Sequence, residues 1–219
     1  PNGAGKTTLF NLLTGFDTPD TGNWRFDGRS MEKIVAHKTA AMGMIRTFQL
    51  TKSLTKMSVI ENMKLGATHQ VGEKWWNGLL PFRWRKQEQI IEQRADELLK
   101  RFKLDHMRGE YAGTLSGGQR KLLEMARALM TNPRLVMLDE PTTAMALSEA
   151  GEVMDFIHDL KKAGKSVIFI SHNPWDAHMV ADRFIVLERG RVVYDAPKGD
   201  MSADEFIALL HKFAKKDQS

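Results

Sequence analysis

Two hydrophobic periods alternate along this chain. Residues 7–14 place Leu9, Leu12 and Leu13 on one side of a predicted helix. A turn at Thr18-Pro19-Asp20-Thr21-Gly22 follows, then a short strand around Trp24-Arg25-Phe26, a second turn at Asp27-Gly28, and a strand over 42–48 that leads into Gln49. Residues 87–102 read as a charged amphipathic helix with Ile91, Ala95, Leu98, Leu99 and Phe102 on its apolar side. Residues 121–130 repeat that period through Leu122, Met125, Ala126 and Leu129. The unbroken apolar runs 135–138 and 167–170 have strand length and suit parallel strands covered on both faces. Between them, Val153, Phe156, Ile157 and Leu160 mark a helix that stops at Gly164. Runs 184–188 and 191–194 form a hairpin turning at Arg189-Gly190, and Ser202 with Glu205 makes a capping box for a last helix carrying Phe206, Leu209, Leu210 and Phe213.

Alternating strands and helices predict an α/β fold with a parallel-sheet core. The segment 59–130 departs from it, being helical and aromatic-rich, and reads as a subdomain inserted into that core. The expected organisation is therefore 1–58 as the first part of the core, 59–130 as the helical subdomain, and 131–219 as the rest of the core.

Composition narrows the classes without choosing one. The chain has 219 residues, 42% hydrophobic, enough for one α/β core with a small lobe. No run approaches the roughly 18 apolar residues of a membrane-spanning helix. There are no cysteines, so disulfides and thiolate metal sites are excluded. A net charge of +5 is spread along the chain without a nucleic-acid motif, and nucleic acid is not expected as a partner.

Three short segments carry chemistry. Asn2-Gly3-Ala4-Gly5-Lys6-Thr7-Thr8 is the end of a phosphate-binding P-loop, G-x-x-x-x-G-K-[ST]. Its glycines let backbone N–H groups converge on a phosphate, and the helix starting at Lys6-Thr7 aims its positive end at the same charge. Lys6 is expected on the β- and γ-phosphates and the Thr7 hydroxyl on Mg²⁺. The first glycine of the motif would precede Pro1, so the chain is expected to be a fragment lacking its first strands, with weak or no ATP binding on its own. Second, the apolar run 135–138 ends in Asp139-Glu140. Carboxylates at the C-terminal end of a parallel strand face the ligand crevice; Asp139 suits the Mg²⁺ shell and Glu140 suits a base that polarises water for attack on the γ-phosphate. Third, Leu115-Ser116-Gly117-Gly118-Gln119 places a hydroxyl and two glycines just before a helix, which makes a second anion site in one chain.

With the P-loop, Asp139-Glu140 and a histidine after the next strand, His172, this third segment resembles the signature of ABC transporter ATPases. The resemblance implies a P-loop NTPase core of ABC type with an inserted helical subdomain. It also implies ATP and Mg²⁺ as cofactors and a second ATPase subunit whose signature, the positions of Ser116, Gly117, Gly118 and Gln119, closes on ATP bound by the first. Gln49 matches the glutamine that senses Mg²⁺ and water, and His172 the switch histidine at the γ-phosphate. Membrane-spanning permease subunits and, through them, a substrate-binding protein are the implied partners, at the cytoplasmic face of the inner membrane. The loop after Glu140 departs from the pattern, with Ala146 where many relatives carry aspartate.

Thr14-Gly15-Phe16, 43–49, Val59-Ile60-Glu61-Asn62 and the aromatic stretch 71–84 resemble the ATPases of branched-chain, hydrophobic amino-acid importers. From Pro141 onward, segments 141–150, 170–173 and 181–183 look closer to sugar-importer ATPases of the ribose and fructose type. Amino-acid import leads and sugar import is the alternative. A soluble ABC ATPase acting on ribosomes or DNA would usually carry two cassettes or a long coiled-coil insertion, and a GTPase would carry Asn-Lys-x-Asp; neither occurs here. Trp75, Trp76, Leu79, Leu80, Phe82 and Trp84 either dock a permease helix or headgroups, or pack the lobe's own core.

Overall fold

The structure, a computed structural model, describes residues 3–47, 54–67 and 81–215. Asn2, Phe48, Gln49 and residues 71–80 of the aromatic stretch lie outside the described residues. In order, the elements are α1 (Lys6–Thr14), β1 (Arg25–Phe26), β2 (Arg29–Ser30), α2 (Ala36–Ala41), β3 (Met44–Thr47), α3 (Val59–Lys64) and α4 (Pro81–Arg101). They continue with α5 (Gly117–Leu129), β4 (Leu135–Asp139), α6 (Leu147–Lys162), β5 (Ser166–Ile170), α7 (Pro174–Val180), β6 (Arg183–Glu188), β7 (Arg191–Pro197) and α8 (Ala203–Lys215). The chain divides into two compact units: Pro1–Arg46 with Leu135–Pro141 and Met154–Ser219, and Thr47–Arg134 with Thr142–Val153.

In the first unit β3, β4 and β5 are neighbours in that order, and β4 pairs parallel with β5 from Leu135 opposite Ser166 to Asp139 opposite Ile170. Every residue of β4 is buried, as its unbroken apolar run requires. Phe10, Met44, Leu135, Met137 and Ile170 form a cluster that seats α1 on the sheet, with Leu13, Trp24 and Phe26 against it. Trp24 is thus a packing residue. The hairpin β6–β7 turns at Arg189-Gly190, where the N–H of Gly190 donates to the carbonyl of Ala4 at 3.0 Å.

In the second unit α3, α4 and α5 pack together through Val59, Met63, Ala95, Leu99, Leu123 and Ala126. The buried amide of Asn62 pins the entry to α3: its Oδ1 accepts from the Leu54 N–H, and its Nδ2 donates to the carbonyls of Leu54 and Ser58. Those bonds explain an asparagine in an otherwise apolar face, because a buried amide is tolerated only when satisfied. Arg108 adds a polar clamp, reaching Asp96 and Glu92 on α4.

Capping carboxylates give the molecule a defined acid response. The Ser58 backbone N–H and hydroxyl hold the Glu61 carboxyl below the usual carboxylate range, Ser202 does the same to Glu205, and Arg183 to Asp195. Each folded-state value lies below the unfolded one. Their stabilisation is therefore complete above the ordinary carboxylate range and is lost as pH falls below that range and through the depressed values. The thermal midpoint is expected to fall between pH 5 and pH 3, and the Glu61→Gln/Glu205→Gln variant to fall less steeply.

Several predicted elements differ in extent. Helix α5 begins at Gly117 and not at residue 121, so Gly117, Gly118 and Gln119 form its first turn instead of preceding it, because the Ser116 cap starts the helix before its apolar stripe does. Helix α4 begins at Pro81, six residues before the expected start at Gln87, so residues 81–86 are helical as well. Helix α6 begins at Leu147, whose side chain is 94% exposed, so its first turns carry no apolar stripe for the sequence to reveal. The strand expected over 42–48 is described from Met44, after a helix C-cap at Met42.

Candidate functional site

The P-loop residues sit at the positive end of α1. Gly3 and Gly5 have φ of +73° and +94°, where an L side chain is strained. A Cβ on Gly5 would also stand 3.3 Å from the Gly190 Cα, a tight approach to the β6–β7 turn that adds to the strain of its positive φ. No side chain caps α1 and its first turn has no acidic residue, which leaves this N-terminus suited to an external anion. Ala4 is buried, while Thr7 and Thr8 face solvent. The bond from Gly190 turns the Ala4 carbonyl to an internal donor.

Asp139 and Glu140 stand at the C-terminal end of β4, in the same unit as α1. Asp139 is 3% exposed, and its Oδ2 lies 2.9 Å from Nη2 of Arg46 on β3. Glu140 adopts φ +50°, an uncommon region for a non-glycine residue, while its N–H donates to the Ile170 carbonyl. That geometry turns the chain off the sheet and carries the Glu140 Oε2 to 3.4 Å from Nδ1 of His172. His172 is placed by β5 on one side and on the other by a capped helix, since the Asn173 Oδ1 accepts from the Trp175 N–H and the Asn173 N–H donates to Ser171 Oγ. Asp139, Glu140 and His172 are thus gathered at the ends of neighbouring parallel strands, as their sequence positions predict.

The second predicted anion site belongs to the other unit. Ser116 is the N-cap of α5: its hydroxyl accepts from the Gln119 N–H, and Gln119 Oε1 accepts from the Ser116 N–H. Gln119 therefore completes a capping box, a role its position three residues on from Ser116 already signals. Neither Gly117 nor Gly118 has positive φ. The carboxylate of Glu149 packs against Gly118, where a Cβ would push that side-chain end aside. Glu149 also takes a hydrogen bond from Ser116 Oγ and one from the Ala146 N–H, both at 3.1 Å. Nothing in the linear sequence singles out Glu149, 33 residues from Ser116.

Among the described residues, no group of three or more His, Cys, Asp or Glu could hold a metal alone. The Thr7 hydroxyl and Asp139 carboxylate are hard oxygen donors that suit Mg²⁺, an ion usually shared with substrate phosphates and water. No described helix is long and apolar enough to cross a membrane.

The family model for ABC transporters matches residues 1–143. A probable branched-chain amino acid transport ATP-binding protein of Archaeoglobus fulgidus is 34% identical over 201 residues, covering 92% of this chain and 77% of that protein. A xylose/arabinose import ATP-binding protein of Sulfolobus acidocaldarius is 29% identical over 213 residues, covering 97% of this chain and 81% of that protein. Among solved structures, the ADP conformation of an ATP-binding cassette of an ABC transporter superposes with a TM-score of 0.78 at 32% identity, over 96% of this chain and 81% of that one. A dimeric cassette in a post-hydrolysis state with ADP and phosphate gives 0.71 at 25% identity, over 90% and 82%.

Proposed function

Since the chain belongs to the ABC transporter family, we propose that it is the ATP-hydrolysing subunit of an importer, acting as one of two ATPase subunits beneath membrane-spanning permease subunits. The observation that carries this reading is the approach of Glu140 to His172 at the strand end that also bears Asp139. Three groups with distinct tasks in phosphoryl transfer to water converge there.

The P-loop backbone and Lys6 bind the ATP phosphates, with the positive end of α1 adding to the field. Thr7, Asp139 and Gln49 would hold Mg²⁺ and its water, and the ion bound with the nucleotide would supply neutralisation of phosphate charge. Glu140 accepts the proton of the attacking water, and His172 contacts the γ-phosphate and orients Glu140. Ser116, Gly117 and Gly118 of one subunit close on the ATP of the other, with Gln119 fixing the Ser116 backbone. The dimeric relative supports this pairing. The subunit lies peripherally at the cytoplasmic face of the inner membrane.

For cargo, the relative named for branched-chain amino acid transport supports uptake of those or other hydrophobic amino acids. The xylose/arabinose relative supports sugar as the second reading. Reconstitution of the protein with its permease subunits and binding protein separates them. Leucine, isoleucine or valine is expected to stimulate ATP turnover at least several-fold. Stimulation by pentose or hexose with none by amino acids would overturn the amino-acid reading and leave the ATPase reading standing.

A further inference from the structure

Arg46 stands inside the first unit with its side chain only 6% exposed, and its guanidinium has contacts on two elements. Nη2 reaches Asp139 Oδ2 at the end of β4, and Nη1 reaches Asn11 Oδ1 on α1 at 2.6 Å. The Asn11 amide is oriented by its own donation from Nδ2 to Asp17 Oδ2, at 2.9 Å, so its oxygen is the atom turned to Arg46. Beneath the guanidinium lies the Phe10 ring, its centroid 5.3 Å from Cζ. A planar group fixed at both prongs and on one face has little freedom.

Asn11 follows Thr7 by four residues, so the two share one face of α1 one turn apart. The fork therefore spans from the helix face that bears Thr7 to the carboxylate of Asp139. We propose that Arg46 is a positioning residue that sets the separation of Thr7 and Asp139, two of the groups that would hold the nucleotide-bound metal. This rests on the ATP and Mg²⁺ reading above and adds to it a residue that itself touches neither. A metal held by a few oxygen donors would tolerate little displacement of either Thr7 or Asp139. Lysine retains the charge but has one ammonium in place of the fork and cannot bridge both partners in the same way.

The test is the gain in ATP affinity that metal confers on the protein, measured by calorimetry in EDTA and in Mg²⁺. Mn²⁺ in place of Mg²⁺, followed by its paramagnetic resonance signal, gives a second readout that needs no turnover. Arg46→Lys cuts the strut while keeping charge, and Asn11→Leu cuts it while keeping the Arg46–Asp139 pair. Each is expected to bind metal-free ATP within about 3-fold of wild type and to lose about 5- to 10-fold of the metal gain. Because both variants break one strut, the double variant should lose no more than the weaker single. Full metal gain in either folded single variant, or losses that multiply in the double, would overturn the proposal. If Arg46→Lys fails to fold, Asn11→Leu alone decides. A wild type with no metal gain would instead sink the ATP and Mg²⁺ reading itself.

Discussion

Replacing Glu140 with glutamine is expected to slow ATP turnover by roughly 10²–10⁴-fold while leaving ATP affinity within a few-fold. The amide matches the carboxylate in size and keeps the unusual φ of +50°, so the backbone turn at the end of β4 survives. What it loses is the ability to take a proton from water, and the charge that faces His172 Nδ1 across 3.4 Å. Single-turnover assays with labelled ATP measure the chemical step, and filter binding measures affinity. Because the proposed role of Glu140 is in the chemical step and not in holding phosphate, an equal loss of binding and turnover would mean that its role is architectural.

Arg46→Ala is expected to destabilise the first unit by about 3–5 kcal/mol, because it leaves the buried Asp139 carboxylate without its cation. In a chain of this size that corresponds to a fall in thermal midpoint on the order of 10 °C. The pair itself need not be a net source of stability. Removing both charges together, as in Arg46→Met with Asp139→Leu, is expected to recover part of the loss, since a buried ion stripped of its partner costs more than the intact pair returns. The exposed Arg183–Asp195 pair offers the contrast: bidentate at 2.6 and 2.8 Å, it is screened by solvent, and Arg183→Ala should shift the midpoint little. Calorimetric scans of these variants check the ordering.

Local chemistry made much of the molecule legible from its sequence. The helix after Gly5-Lys6, the buried strand before Asp139, the turn at Arg189-Gly190 and the capping box at Ser202 are all written within a few adjacent residues. Helix α2 was not legible, because Ala36-His37-Lys38-Thr39-Ala40-Ala41 has no apolar stripe and no side-chain cap. Helix α7 is only seven residues, and its signal is a cap and a proline at Asn173-Pro174, with no periodicity. At the site, the phosphate and strand-end residues could be named because each motif is contiguous. The ties between them could not: Arg46 meets Asp139 across 93 positions and Asn11 across 35. Arg46 enters the sequence reading only within segment 43–49, and nothing local in that segment says that the guanidinium turns inward.

In the proposed mechanism, two phosphate-binding segments of one chain serve two different ATP molecules. Sedimentation of the Glu140→Gln protein with ATP and Mg²⁺ tests this most directly, because slow turnover keeps the sandwich loaded. The expected result is a monomer with ADP, a dimer holding two ATP molecules with ATP, and loss of that dimer when Ser116 is replaced by a bulky acidic residue, as in Ser116→Glu. A Glu140→Gln protein that binds ATP tightly and sediments as a monomer at every ATP concentration would contradict it.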